Sequence, residues 1–397
     1  MVTETIWNKI GLKQNPFQIT PEKDKKSLTW AGLKSIKLKF DELIINSLTS
    51  DNSRVILNMS RWGGGKTHTA IYYSNIEHFP SIELKYTPPV HIFIVTPKEA
   101  DKAASEFYQK IVESIGITRI AETIKAMREH YKKENSEDSA LRILQEWCGS
   151  EDIGKILYLL GYIHQDEKED IYFDASTFFF NKPDATSKRK LKVRRGIEST
   201  NDKFVTISTL FKIFSAFDES GKLELKRRVF LWLDEIEAFI WYSTRHMAVF
   251  SQALRELIDM TPNFLNLIMN FSYADTESIS TLDFLIGGAL KSRVTEEINF
   301  DELSIDEALE YVRELLGYFR TGDVSQANPY FPFTEDALQL LFENLVNKLK
   351  EPLMPRTINN WCRKAIEKSA IEEHFGENQL IDKGFIGRLD LFNEAMK

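Results

Sequence analysis

The chain has 397 residues, 28% of them charged and 43% hydrophobic, with a net charge of -8. That leaves room for one large core or two to three modest ones, and it argues against a chain that coats nucleic acid over its whole surface, while a local basic patch stays open. No apolar run is long enough to span a bilayer, the start Met1 to Trp7 lacks the pattern of a signal peptide, and the two cysteines, Cys148 and Cys362, lack metal-ligand spacing, so a reduced cytoplasm without a zinc site or a membrane partner is expected.

In chain order, residues 1–50 read as a lead-in containing Asn15-Pro16-Phe17 and then a helical pattern from about Ala31 to Leu48. The apolar stretch Val55-Ile56-Leu57-Asn58-Met59 predicts a first strand, about Arg54 to Met59. It leads directly into Ser60-Arg61-Trp62-Gly63-Gly64-Gly65-Lys66-Thr67 and a helix reaching to near Asn75. Val90 to Val95 is a second buried strand. From about 98 to 170 apolar residues recur three and four apart, through Ile111, Ile115, Ile120, Ile124 and Met127, as helices require. A polar, basic stretch from Lys182 to Lys203 precedes a helix near Thr206 to Phe217. Then come a strand, Val229 to Leu233, a helix to about Met260, a strand from Phe264 to Phe271, a further helix ending near Leu290 and a last strand, Glu297 to Phe300. Beyond about 303 the pattern is helical: Ile305 to Phe319, Glu335 to Leu349, Arg356 to Ala370. Strands alternating with helices, then a helical tail, predict an α/β domain plus a small helical domain.

Two segments carry chemistry. The first fits the phosphate-loop pattern G-x-x-x-x-G-K-[ST], with Ser60 standing where the first glycine belongs. Its glycines let backbone N–H groups close on phosphate oxygens, and the helix N-terminus adds unpaired donors and a positive dipole end. The expected nucleotide-contacting set is Ser60, Arg61, Trp62, Gly63, Gly64, Gly65, Lys66, Thr67 and His68. Lys66 reaches the terminal phosphates and the Thr67 hydroxyl ligates magnesium; the side chain of His68, like those of the other histidines, reads as structural. The second segment is Asp234-Glu235 at the carboxyl end of an apolar strand, where open α/β sheets bind ligands. Asp234 is the candidate to hold magnesium through water, Glu235 to polarise the attacking water, and Glu237 is a surface or supporting residue. ATP with Mg2+ is the implied cofactor pair.

With these elements placed, the chain resembles the AAA+ ATPases, in particular the branch of origin-recognition initiators, transposon target-selection ATPases and secretion-associated ATPases. The resemblance spans roughly residues 10–100 and 220–370. It implies a P-loop three-layer sandwich with a central, mainly parallel sheet, a largely helical insertion and a C-terminal helical lid. The domains would be 1–50 lead-in, 51–100 and 205–302 ATPase core, 101–204 insertion with a basic loop, and 303–397 lid. Asn15 to Phe17 would lie near the adenine, Ser60 to Thr67 would be Walker A, and Val229 to Glu235 Walker B. Asn270 or Ser272 would orient water as sensor 1. The resemblance further implies Arg293 as an arginine finger on a neighbour's nucleotide and Arg356 as the sensor-2 arginine, with Arg363 competing for that role. A site completed in trans implies ATP-dependent assembly into a ring or filament.

The insertion contains Lys188, Arg189, Lys190, Lys192, Arg194 and Arg195, a dense basic run that either grips DNA phosphates or is a solvated surface. Phe178-Phe179-Phe180 reads as a core anchor, and Trp241, Tyr242, Arg245 and His246 as helix packing or a partner face. The expected function is an oligomerising ATPase switch serving a DNA transaction: mobility, replication loading or defence against foreign DNA. The alternative is a signalling or scaffold ATPase that recruits an effector protein without touching DNA; a third reading is a nucleotide-binding protein that barely hydrolyses. The stretch Leu380 to Lys397 is too short for a full winged helix, so interaction with the phosphate backbone is expected rather than sequence-specific reading.

Overall fold

The computed structural model describes residues 5–20, 28–78, 88–134, 137–180, 185–217, 227–273, 286–288, 290–321, 328–371 and 380–388. The start of the basic stretch at Lys182, most of the helix expected before Leu290 and the tail after Arg388 lie outside these residues. The chain divides into two compact units. One comprises Leu43–Asn58 and Pro80–Ile298, the other Met1–Glu42, Met59–Phe79 and Asn299–Lys397.

The first unit is built on a five-stranded, all-parallel sheet of β1 (Arg54–Arg61), β2 (Val90–Val95), β3 (Val229–Asp234), β4 (Leu265–Tyr273) and β5 (Glu296–Phe300), in the order β2-β3-β4-β1-β5. The chain leaves this unit along β1 after Asn58 and along β5 after Ile298. Every residue of β3 is buried, which explains its unbroken apolar run: helices cover both faces of a parallel sheet, so neither face can be polar. Register is fixed by Val229 opposite Val90 on one side and Leu265 on the other. The order reverses direction at β4 and β1, and ligands of open α/β sheets bind outside the carboxyl ends at such a switch point.

Three helices, Ala103–Ile115, Thr200–Ala216 and Thr244–Met260, meet through their phenylalanines. Phe107 stacks on Phe204 at 5.3 Å, and Phe250 meets both edge-on. The helix Thr200–Ala216 begins earlier than its apolar pattern, because Ser199 and Asp202 form a reciprocal capping box. Between β2 and that helix lie the helices Ile117–Glu134, Glu137–Cys148, Glu151–Leu160, Glu169–Phe180 and Ala185–Leu191. Phe178 and Phe179 are buried, and the Arg128 guanidinium is sandwiched between the rings of Tyr158 and Tyr162 at 4.1 and 4.0 Å.

The second unit joins the N-terminal segment and the residues after Asn58 to the C-terminal helices Ile305–Phe319, Glu335–Asn344, Pro355–Ile371 and Lys383–Arg388. Its core gathers Leu12, Phe17, Val312, Phe333, Leu341, Trp361 and Phe385. Phe17 of the Asn15-Pro16-Phe17 turn is fully buried against Phe333, and the Asn15 side chain accepts from the Phe17 N–H at 2.9 Å. Asn359 ties the same turn down by donating to the Gln18 carbonyl at 2.7 Å. The helix expected from Ala31 starts at Lys34 instead, because Gly32 and Leu33 take positive φ angles of 57° and 49° that no helix accepts.

Candidate functional site

After β1 the chain turns through Trp62 to Gly65 into the helix Lys66–Tyr73. Gly63 and Gly65 have φ of 85° and 102°, conformations that glycine alone reaches without strain. Gly65 stands at the helix N-cap with no side-chain cap, and no acidic residue occupies the first turn. The first-turn N–H groups therefore face outward with the positive end of the helix behind them, which suits an anion. Lys66 is buried, and its Nζ donates to the Ser60 carbonyl at 3.3 Å. Thr67 follows in the first turn. Arg61 pairs with Glu302 at 3.0 Å, and Trp62 is 63% exposed.

Ser60, the departure from the motif, moves the demand for glycine along the loop. Its hydroxyl donates to the Arg61 carbonyl and fills the space above Gly64. A Cβ on Gly64 would collide with Ser60 Oγ and come to 2.9 Å from Met354 Cε. The first turn of the helix Pro355–Ile371 rests on the same loop. The Arg356 N–H donates to the Gly63 carbonyl at 3.2 Å, and a Cβ on Gly63 would lie 2.6 Å from Arg356 Cβ. Arg363, its competitor, pairs with Glu367 along its own helix at 3.7 Å. His68 turns to the Thr29 carbonyl at 2.9 Å and stacks on Tyr72. Burial holds its pKa below the ordinary value, opposed by that hydrogen bond.

In the sheet unit, Asp234 is buried at the carboxyl end of β3. The Asn270 amide of β4 donates to its Oδ1 at 3.1 Å. Thr96, just past β2, donates its hydroxyl to the Asp234 carbonyl at 2.7 Å. Glu235 takes a left-handed backbone, φ 57° and ψ 44°, a sparsely populated state for a residue with a side chain. Its carboxylate is half exposed and lies 3.6 Å from Lys98 Nζ. Glu237 accepts from the Ser272 N–H at 3.0 Å, so it braces the end of β4. Of the two sensor candidates, Asn270 has its side chain on Asp234, whereas Ser272 meets Glu237 through its backbone.

Arg293 is held in its own chain. It makes a two-pronged pair with Asp259, Nε to Oδ1 at 3.0 Å and Nη2 to Oδ2 at 3.2 Å. Half of the basic side chains of the run are paired as well. Lys188 meets Glu198 at 3.3 Å, Lys190 meets Asp174 at 2.7 Å, and Arg195 meets Asp202 at 3.8 Å. The N–H groups of Arg194 and Arg195 both donate to Asp152 Oδ2 at 3.1 Å. The side chains of Arg189, Lys192 and Arg194 are exposed. Past Glu235, Tyr242 is buried and its hydroxyl donates to the Pro97 carbonyl at 2.6 Å, while Trp241 is 81% exposed.

Sequence reasoning passed over Thr96, Lys98, Glu302 and Met354, which reach the loop or the acidic tip only through folding. Asn58, a polar residue inside an apolar strand, carried a sequence signal. Among the described residues no group of three or more His, Cys, Asp or Glu assembles. A hydroxyl and a carboxylate are nonetheless the hard oxygen donors magnesium takes alongside water and phosphate. Among those residues, too, no helix is long and apolar enough to cross a membrane.

A parallel sheet whose first strand runs through a glycine-rich loop into a helix, with helices flanking the sheet, is the α/β P-loop fold. No family model matches the sequence, and no curated protein matches it in sequence. Among solved structures the chain is similar to Drosophila ORC bound to DNA, with TM-score 0.50 and 10% identity over 100% of this chain and 67% of that one. It is also similar to the Aeropyrum pernix ORC2 protein in its ADPNP-ADP complexes, with TM-score 0.49 and 11% identity over 98% of this chain and 74% of that one. For the Aeropyrum pernix ORC1 protein in complex with DNA the values are 0.42 and 10%, over 90% and 65%. This chain thus spans about two thirds to three quarters of those chains. The resemblance to AAA+ ATPases of the origin-recognition branch holds at the level of the fold.

Proposed function

We propose that the protein is an AAA+ ATPase that binds ATP with Mg2+, hydrolyses it and uses the cycle as an oligomerising switch. The observation that carries this reading is the loop: three glycines in a row, two at positive φ, opening a helix without an acidic first turn, with Lys66 buried behind it. Lys66 would engage the terminal phosphates, Thr67 and Asp234 would hold the magnesium, Glu235 would align the water, and Asn270 would sense the terminal phosphate. Arg356 would read the same phosphates from the lid, and Arg293 would act on a neighbour's nucleotide once released from Asp259. Magnesium supplies charge neutralisation on the phosphates; the chain's own residues bind, orient and move the proton.

Calorimetry with ATP and Mg2+ tests the binding, with Lys66→Ala as the control. Saturable heat that the substitution abolishes supports the proposal, and a protein indifferent to ATP ends it. Light scattering with a slowly hydrolysed ATP analogue tests the switch: larger particles are expected from the unaltered protein, and an unchanged monomer counts against it.

We assign the switch to a DNA transaction, on the fold shared with a Drosophila ORC solved bound to DNA and on the exposed Arg189, Lys192 and Arg194. The second reading, an ATPase that recruits an effector protein without touching DNA, is favoured by the acidic partners of Lys188, Lys190 and Arg195. Duplex DNA binding that weakens steeply with salt separates the two.

A further inference from the structure

We propose that Asn58 is a positioning residue for Asp234, acting through Asn270 to hold the carboxylate in the orientation that takes a divalent cation. This rests on the reading of Asp234 as the metal-holding group. Asn58 interrupts the apolar run of β1: Val55, Ile56, Leu57 and Met59 around it are apolar, and all are buried. Asn58 and Asn270 are both fully buried, on adjacent strands of the sheet. Its Nδ2 donates to Asn270 Oδ1 at 2.9 Å, and Asn270 Nδ2 donates to Asp234 Oδ1 at 3.1 Å.

Chemistry gives this line one direction. A carboxylate accepts and does not donate, so Asn270 must turn its NH2 toward Asp234. Its oxygen then faces Asn58, which must donate in turn. Without a donor at 58, the Asn270 amide is free to rotate and present its oxygen to the carboxylate, which repels it. The same residue carries a cost: Asn58 Oδ1 is buried without a hydrogen-bond partner among the described residues. An orphaned amide oxygen is unfavourable; a leucine at 58 would remove this one but take the donor from Asn270 Oδ1. What accounts for Asn58 is therefore its donation to Asn270, which orients that amide, and not the fit of its own side chain to the strand. Losing a group that orients a metal ligand in this way typically costs about 10–100-fold in metal affinity.

The test is titration of Mn2+, as the probe, into the ADP complex, following free Mn2+ by electron paramagnetic resonance. Metal-free ADP affinity is measured in parallel by calorimetry. Asn58→Leu is expected to weaken Mn2+ about tenfold, and Asn58→Asp, which turns an acceptor toward Asn270, up to about 100-fold. Metal-free ADP affinity should stay unchanged in both, a split that a merely structural role would not produce. If Asn58→Asp fails to fold, Asn58→Leu decides alone. Unaltered Mn2+ affinity in folded Asn58 variants, with affinity lost in Asp234→Asn, overturns the proposal and leaves the metal assignment standing. Unaltered affinity in Asp234→Asn removes that assignment and the proposal with it.

Discussion

The phosphate loop and the basic run Lys188 to Arg195 are the two most conspicuous segments of the sequence, and folding treats them oppositely. The loop acquires backbone angles and close approaches that would exclude side chains at Gly63 and Gly64, so its geometry is specific to these residues. In the run, Lys188, Lys190 and Arg195 meet Glu198, Asp174 and Asp202, so half of its charges are answered within the chain. A motif defined by backbone geometry keeps its meaning wherever it lies. The meaning of a charge cluster depends on acids brought beside it from elsewhere in the chain.

The contrast can be broken at several points. The largest effect is expected at the acidic tip: Glu235→Gln should lower ATP turnover by about 10²–10⁴-fold while ATP stays bound. Steady-state hydrolysis beside equilibrium binding checks this, and undiminished turnover would require another base. Next comes Gly64→Ala, which overpacks the loop against Ser60 and Met354 at about 1–3 kcal/mol. ATP affinity should fall by roughly tenfold or more in calorimetry. Adding Ser60→Gly should recover part of the loss, because the hydroxyl is what the new methyl meets; no recovery would mean that the loop tolerates Ser60 for another reason.

A smaller effect concerns His68, whose pKa is lowered by burial from the ordinary 6.5. A histidine that is harder to protonate when folded contributes stability that is full above 6.5 and is lost as pH falls through 6.5 toward its folded value. The melting temperature should decline in that window, and His68→Gln should flatten the decline. The smallest effects belong to the run. If DNA is the partner, replacing Arg189, Lys192 and Arg194 by Ala should reduce the slope of log affinity against log salt by up to about 0.9 for each phosphate no longer neutralised. Replacing Lys188, Lys190 and Arg195 should change it less. Equal slopes from both triples would erase the distinction drawn between paired and exposed charges.

Much of this was legible in the sequence because it depends on neighbours close along the chain. The continuous apolar run of β3 announces a strand covered on both faces, and the glycines before Lys66 announce a turn into a helix N-terminus. The capping boxes Ser199 with Asp202 and Ser304 with Glu307 are equally local, though the first was passed over and its helix expected only from about Thr206. Another edge that sequence reading missed has a tertiary cause. Leu33 is excluded from its helix by a positive φ beside Gly32, whose N–H is held by Glu314 at 2.8 Å from the lid helix.

By itself, then, the sequence determined the alternation of strands and helices, the phosphate loop and the pair Asp234-Glu235, since each follows from local periodicity or local backbone chemistry. Only the tertiary structure decided that Asn270 rather than Ser272 sets its side chain on Asp234, that Arg356 rests on Gly63, that Asp259 occupies Arg293 and that acids answer the basic run. Most of those facts are distances between groups separated by tens to hundreds of residues along the chain, or a choice between side chain and backbone at a strand's end; the acids that meet Lys188 and Arg195 are nearer in sequence but still come from outside the run. Short-range pattern carries no information about such distances until the sheet order and the helix packing are fixed.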